Sequence, residues 1–184
     1  MQIAAIGATA KGGSRRLALT DLDREARDMF LAWCRDAGCS VSVDAMGNVF
    51  ARREGADPSL APVLAGSHLD TQPNGGKFDG VFGVLAALEA VRALNDAGIQ
   101  TTRAVEIVDW TNEEGSRFAP AMLASGVFAG AFSLEYGLSR ADSQGRTVAD
   151  ELSRIGYSGD MPVGGRSIAA YLEAHIEQGP ILES

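Results

Sequence analysis

Three short, glycine-flanked parts of the sequence carry the residue types that bind divalent cations. They are residues 66–80, 112–118 and 173–180. The two histidines of the chain, His68 and His175, lie in the first and third parts, and carboxylates lie in all three. Imidazole nitrogens and carboxylate oxygens are the ligands with which proteins hold a metal ion and make water nucleophilic. The sequence therefore indicates hydrolytic metal chemistry.

Each of these residues also has a structural explanation when it is considered alone. A histidine at a strand end is more often a satisfied polar residue than a ligand, and Asp79 could simply cap a helix. Glu113 and Glu114 could form an acidic loop in water, where neighbouring carboxylates repel each other weakly. The placement of four potential ligands at separate strand and helix ends favours the metal site.

The polar segments follow two runs of residues that predict inner strands. The apolar run 63–68 predicts a buried strand with His68 at its carboxyl end. Residues 104–110 predict a second inner strand, and Glu113 and Glu114 follow it directly. Both strand ends are thus expected to present polar groups.

Helical periodicity predicts the elements that flank these strands. A helix is expected to begin at Thr20 and to end by Gly38, and short β-branched runs at 40–43 and 48–51 predict a hairpin or two adjoining strands. A further helix is expected over 80–95.

That helix would place Asp79 at its N-terminus. A helix over 147–155 and a strand near 171–176, which carries His175, are expected later in the chain. Alternation of strands and helices predicts an α/β fold, in which ligands gather outside the carboxyl ends of the strands.

Composition limits the class of protein. With 184 residues, 46% of them hydrophobic, the chain is long enough for a sizeable core in one large domain or most of one. The net charge of -8 argues against nucleic-acid binding, and the arginine pairs at 15–16 and 52–53 are expected at the solvated surface. No apolar run approaches the length of a membrane span, and no leader pattern is recognised, so a cytoplasmic protein is expected. Cys34 and Cys39 are interpreted as free packing thiols.

Four strings carry a resemblance to a known family. They are GSHLDT (66–71), FDGVFG (78–83), NEEGSRF (112–118) and EAHIEQGP (173–180). They resemble the amidase, hydantoinase and carbamoylase branch of the M20 metallopeptidases, which contains N-carbamoyl-L-amino-acid hydrolases, β-ureidopropionases and allantoate amidohydrolases. The likeness spans nearly the whole chain and implies a zinc-peptidase-like mixed sheet flanked by helices.

The resemblance implies a role for each matched residue in a site for two divalent ions. His68 and His175 would hold one ion, Glu114 would help to hold the other, and Asp79 would bridge them. Glu113 would be the general base that takes a proton from the attacking water. Zinc, manganese, cobalt and nickel all suit such mixed nitrogen and oxygen ligands.

Three further residues receive expected roles. Asp70 would be the carboxylate that orients the His68 imidazole, although a turn cap is an equally good interpretation. Gln178 and Arg117 are candidates for substrate binding. Arg117 could instead be structural and pair with a nearby carboxylate.

The activity implied is hydrolysis of the carbamoyl or ureido C–N bond of N-carbamoyl-L-amino acids or of ureido acids such as allantoate. Two alternatives remain open: a non-catalytic metal-binding or interaction fragment, and a hydrolase of N-acyl amino acids or peptides. The strings at 112–118 and 177–180 weigh against the latter. The expected partner is a small ureido or carbamoyl substrate, without nucleic acid or membrane.

Family members are longer than this chain, so residues 1–184 are expected to be the N-terminal part of a catalytic domain. The resemblance predicts that a lid and dimerisation domain is missing, together with the last histidine of the second ion site and the lid arginine and asparagine for the substrate carboxylate. We therefore expect an incomplete second site and impaired activity. Homodimerisation or association with a C-terminal portion is also expected.

Overall fold

The structure is a computed structural model that describes residues 2–177, 179 and 181–183. Its helices are α1 (Asp21–Asp36), α2 (Val81–Asp96), α3 (Leu123–Phe128), α4 (Leu134–Leu138) and α5 (Val148–Ile155). Its strands are β1 (Ser40–Val43), β2 (Val49–Arg53), β3 (Val63–Ser67), β4 (Val105–Asp109) and β5 (Ala170–Leu172). Short 3₁₀ turns lie at Ile3–Ala5 and Ile181–Glu183.

The strands form one mixed sheet in the order β1-β2-β4-β3-β5. β1 and β2 form the expected hairpin, and β2 pairs antiparallel with β4. β3 runs parallel to both β4 and β5. The carboxyl ends of β3, β4 and β5 therefore meet at the same edge of the sheet. The predicted α/β fold with a mixed sheet is confirmed.

The long helices cover one face of this sheet. Apolar side chains of α1 and α2 pack in the main core with Val49, Ala51 and Ile107 from the strands. The intervening residues Phe50 and Val108 belong to a smaller cluster on the opposite face, as the two-residue period of a strand requires. The sheet thus has packed apolar side chains on both faces.

The first helix begins where its sequence predicts. The Thr20 side chain accepts a hydrogen bond from the backbone N–H of Asp23, which satisfies one of the free donors of the first turn. α5 has a full capping box between Thr147 and Asp150. Both predicted helices are therefore stabilised by caps that are readable in the sequence.

Two expectations need correction. Arg16 is fully buried, not solvated, because its guanidinium donates to the backbone carbonyls of Leu69 and Ile6, both at 2.8 Å. The last strand comprises only Ala170–Leu172, and His175 lies beyond its end.

Cys34 and Cys39 are buried free thiols, as expected. Among the described residues, no helix combines the length and apolarity needed to cross a bilayer.

Candidate metal centre

His68 is the most firmly fixed residue of the centre. It follows β3 directly, and its side chain is 1% exposed. The neighbouring backbone is held by a hydrogen bond from Leu69 N to Asp109 Oδ1 at 2.9 Å. His68 Nδ1 lies 2.8 Å from the carbonyl oxygen of Asp70. Since a carbonyl only accepts, Nδ1 is the nitrogen that donates, and Nε2 is the nitrogen that faces the centre.

Gly80 allows the first helix turn of α2 to approach the His68 ring. Its φ of 65° lies in the left-handed region, and a Cβ there would fall 2.4 Å from His68 Cε1. Gly80, not Asp79, occupies the N-cap position of α2. The Asp79 carboxylate is 3% exposed and lies in the centre.

His175 completes a group of three potential ligands. Its Nδ1 lies 2.8 Å from the carbonyl of Ile176 and donates to it, so Nε2 is again the nitrogen that faces the centre. That Nε2 lies 3.5 Å from His68 Nε2 and 3.3 Å from Asp79 Oδ1. One ligand atom from each of His68, Asp79 and His175 falls within 4.8 Å of the others. The structure thus brings together three of the four predicted ligands.

This arrangement fits a divalent cation. Two imidazole nitrogens face each other beside the Asp79 carboxylate, and this mixed set of nitrogen and oxygen atoms is one that divalent cations bind. Two ligand atoms of a tetrahedral zinc site lie about 3.3 Å apart, given bonds of about 2.0–2.1 Å. The two separations that involve His175 Nε2, 3.5 and 3.3 Å, are close to that value, and all three ligand atoms lie within 4.8 Å of one another.

Glu113 lies beside the ligand group, where a general base would be required. Its Oε2 is 3.3 Å from His68 Nε2, and its side chain is 27% exposed. Burial alone would lower the pKa of His68, but the carboxylates of Asp70 and Glu113 outweigh it and raise that pKa. The centre is therefore strongly negative and favours a cation.

The Asp70 carboxylate does not orient His68 as the resemblance implied. Its backbone carbonyl, not its carboxylate, orients His68, because the carboxylate Oδ1 lies 3.8 Å from Nδ1. The carboxylate instead accepts from the backbone N–H groups of Glu113 and Glu114 at 3.1 and 3.3 Å. Burial is the main cause that raises the pKa of Asp70, to about 7. Asp70 thereby fixes the loop that carries the predicted base.

Glu114 lies next to the group of three but outside it. Its Oε2 accepts from Gln72 Nε2 at 3.0 Å, and its Oε1 is buried without a hydrogen-bond partner among the described residues. Burial raises its pKa, and the nearby charge of Asp79 adds to this. An orphaned carboxylate oxygen close to Asp79 is what a second ion site would need.

Of the two residues predicted to bind substrate, Arg117 and Gln178, the structure describes only Arg117. The Arg117 side chain is 6% exposed and donates to Asp142, Glu151 and the carbonyl of Ala18. This matches the structural alternative, because its donors are engaged within the protein. Gln178 lies outside the described residues.

A cavity of about 690 Å³ opens beside the candidate base. Glu113 and Glu173 contribute polar groups to its wall, and Trp110, Phe128 and Phe132 contribute aromatic rings. Its volume lies within the range of small-molecule sites.

Sequence reasoning missed one contact network in the centre. Glu173 accepts hydrogen bonds from Ser67 and Tyr171, although it belongs to one of the strings that carry the resemblance. Its position two residues before His175 was a signal that could have revealed it.

The sequence matches the model of peptidase family M20/M25/M40 over residues 64–184. The chain belongs to this family. The matched region begins in β3 and includes all of the candidate ligands. The resemblance inferred from the four strings is therefore confirmed.

Three similar proteins show the branch of the family. An N-carbamoyl-L-amino-acid amidohydrolase of Rhizobium meliloti is 58% identical over 184 residues, which cover 100% of this chain and 44% of that protein. A ureidoglycolate hydrolase of Oryza sativa subsp. japonica is 38% identical over 91% of this chain and 36% of its own length. The crystal structure of an amidase of the hydantoinase/carbamoylase family from Burkholderia multivorans has a TM-score of 0.98 and 63% identity, over 100% of this chain and 44% of that one. The chain spans less than half the length of each of these relatives.

Proposed function

We propose that this chain carries the metal centre of an amidohydrolase that cleaves the carbamoyl or ureido C–N bond of N-carbamoyl-L-amino acids or related ureido acids such as allantoate. The observation that carries the proposal is the convergence of His68 Nε2, His175 Nε2 and Asp79 Oδ1, with Glu113 beside them. The names of the similar proteins support the choice of substrate class.

His68, His175 and Asp79 would hold one divalent ion, and Glu114 with Asp79 would contribute to a second. Zinc, manganese, cobalt and nickel suit this ligand set. Such an ion supplies a Lewis acid that polarises the substrate carbonyl and lowers the pKa of water.

The chain's own residues perform the proton transfers. The Glu113 carboxylate accepts a proton from the attacking water, whose oxygen forms the new bond to the carbonyl carbon. Glu113 then returns the proton to the leaving nitrogen as the C–N bond breaks. This cleavage leaves a carbamic acid, which breaks its remaining C–N bond as it loses carbon dioxide, so that one water per carbamoyl amino acid gives the amino acid, ammonia and carbon dioxide.

Substitution of Glu113 by glutamine tests its role as base. We expect Glu113→Gln to lower ammonia release from N-carbamoyl-L-amino acids by at least about a hundredfold, because it removes the proton acceptor. Cation affinity should change far less, since Glu113 is not one of the three convergent ligands. The assay uses the chain with added manganese or zinc. Glu135→Gln, which changes an exposed glutamate of α4, is the matched control.

Cation titration separates the proposal from its alternatives. Tight binding that is lost in His68→Ala, together with turnover that requires Glu113, would support it. Binding without turnover of any carbamoyl or ureido substrate would favour the non-catalytic metal-binding alternative. Absence of binding to the unsubstituted chain would contradict the metal centre.

A further inference from the structure

Glu173 connects the ends of β3 and β5, the strands that precede His68 and His175. Its Oε1 accepts a hydrogen bond from Ser67 Oγ at 2.5 Å, and its Oε2 accepts one from Tyr171 Oη at 2.8 Å. Tyr171 Oη in turn accepts from Trp110 Nε1 at 2.9 Å. The carboxylate therefore has a donor on each of its two oxygens.

The bond to Ser67 lies where the backbone pairing has ended. β3 and β5 are paired only from Val63 with Ala170 to Ala65 with Leu172. Ser67 is the last residue of β3 and directly precedes His68, while Glu173 lies just beyond β5 and two residues before His175. The side-chain bond thus continues the connection between the strands up to the ligands.

The strand β5 has few other attachments to the sheet. It lies at the edge of the sheet, and its three residues are all exposed. Ser67, in contrast, is fully buried. A buried hydroxyl on the inner strand is therefore a fixed point to which the edge strand is attached.

We propose that Glu173 is a positioning residue that, through Ser67, holds the ends of β3 and β5 at the separation that lets His68 and His175 bind one cation. The inference rests on the proposed metal centre. Glu173 itself lies outside the convergent group, which among the described residues comprises His68, Asp79 and His175, and its oxygens accept from hydroxyl donors.

Cation affinity of four variants tests this role. Glu173→Leu removes the acceptor and Ser67→Ala removes the donor, so each should weaken zinc or cobalt binding by about tenfold, as is typical of residues that support ligands. The double variant should be no weaker than either single variant, since both changes break the same bond. Glu173→Gln retains an oxygen that accepts from Ser67 and should restore affinity to within about threefold.

Two further measurements distinguish positioning from a general effect on stability. The visible absorption spectrum of the cobalt-loaded chain should change in Glu173→Leu and Ser67→Ala, but not in Glu173→Gln. Affinity is measured well below the thermal midpoint of each variant, so that unfolding does not contribute. As a control, Tyr171→Phe removes the hydrogen bonds of Tyr171 to Glu173 and Trp110 but keeps the bond between Ser67 and Glu173, and it should leave affinity within about threefold.

The outcomes separate the two proposals. If the unsubstituted chain binds no cation, both fail. If it binds and His68→Ala abolishes binding, but Glu173→Leu lowers only the thermal midpoint, the metal centre stands and the positioning role is overturned. Equal losses in Tyr171→Phe and Glu173→Leu, with none in Ser67→Ala, would also overturn it.

Discussion

At the scale of single residues, backbone carbonyls determine which imidazole nitrogens are available. Nδ1 of His68 and Nδ1 of His175 each donate to a carbonyl within two residues of their own position. The presence of both histidines in the site was predictable from the sequence. The atom that orients His68 was not, because the carbonyl and the carboxylate of Asp70 belong to the same residue and only the backbone path decides between them.

This difference predicts the effect of a change at Asp70. Asp70→Asn leaves the orienting carbonyl in place, so cation affinity should fall less than about tenfold. Removal of a carboxylate that orients a ligand typically lowers affinity by about tenfold to a hundredfold. Turnover should fall more, because the hydrogen bonds that fix the backbone of Glu113 and Glu114 are altered. Isothermal titration and ammonia release measure the two effects. A loss of affinity of about a hundredfold would instead show that the carboxylate orients His68.

At the scale of elements, the helices and strands with strong local sequence signals were predicted, and those with weak signals were not. The inner strand β3 and the capped helix α1 match their predictions because apolar runs and caps act locally. The short helices α3 and α4 were not predicted, since six and five residues carry little periodicity. Met122, the residue before α3, has a left-handed backbone conformation. That conformation is uncommon for a residue other than glycine, so the sequence did not indicate it.

The packing of α2 against the strand ends gives a second prediction. A Cβ at Gly83 would lie 2.6 Å from the carbonyl of Ala174 and 2.8 Å from Ser67 Cβ. Gly83→Ala should therefore lower the free energy of unfolding by about 1–3 kcal/mol through overpacking, despite the better helix propensity of alanine. It should also weaken cation binding, because α2 follows directly after Asp79. Urea unfolding and cation titration provide the measurements.

Ala90→Gly in the same helix is the control for propensity. Ala90 is exposed, so this change should cost about 0.5–1 kcal/mol and leave cation affinity unchanged. A Gly83→Ala variant that is more stable than the unsubstituted chain would show that the close approach of α2 is unimportant.

At the scale of the whole molecule, Arg117 joins segments that are distant in sequence. Its guanidinium contacts the carbonyl of Ala18 before α1, Asp142 in a loop and Glu151 in α5. Burial alone would raise the pKa of Glu151, but hydrogen bonds from Arg154 and Arg117 outweigh it and lower that pKa. The pKa of Asp142 is lowered in the same way, by backbone N–H donors and by Arg117.

Removal of this guanidinium should therefore have a pH-dependent cost. Arg117→Met should lower the free energy of unfolding by roughly 1–3 kcal/mol at neutral pH, because it removes charge-assisted hydrogen bonds from two buried carboxylates, while Arg154 still donates to Glu151 and Arg146 still pairs with Asp142. Carboxylates with lowered pKa values stabilise the fold above their ordinary values of 4.5 and 3.8 and lose that contribution as the pH falls through the lowered values. The difference between the two proteins should narrow in acid, as measured by urea unfolding from about pH 7 to about pH 3.

Arg24→Met is the control, since Arg24 forms only an exposed pair with Asp28 and should cost at most about 1 kcal/mol. An Arg117→Met variant with unchanged unfolding but a raised KM would assign Arg117 to substrate binding.

The separation of the two histidines along the chain has a thermodynamic consequence. His68 and His175 are 107 residues apart, and their Nε2 atoms meet at 3.5 Å. An ion shared by these atoms is a reversible cross-link that closes most of the polypeptide into a ring. In the chain-entropy description, a covalent link around a loop of about 100 residues stabilises a protein by about 4.7 kcal/mol, mainly by restricting the unfolded chain. Chelation would then reopen the ring and lower the free energy of unfolding.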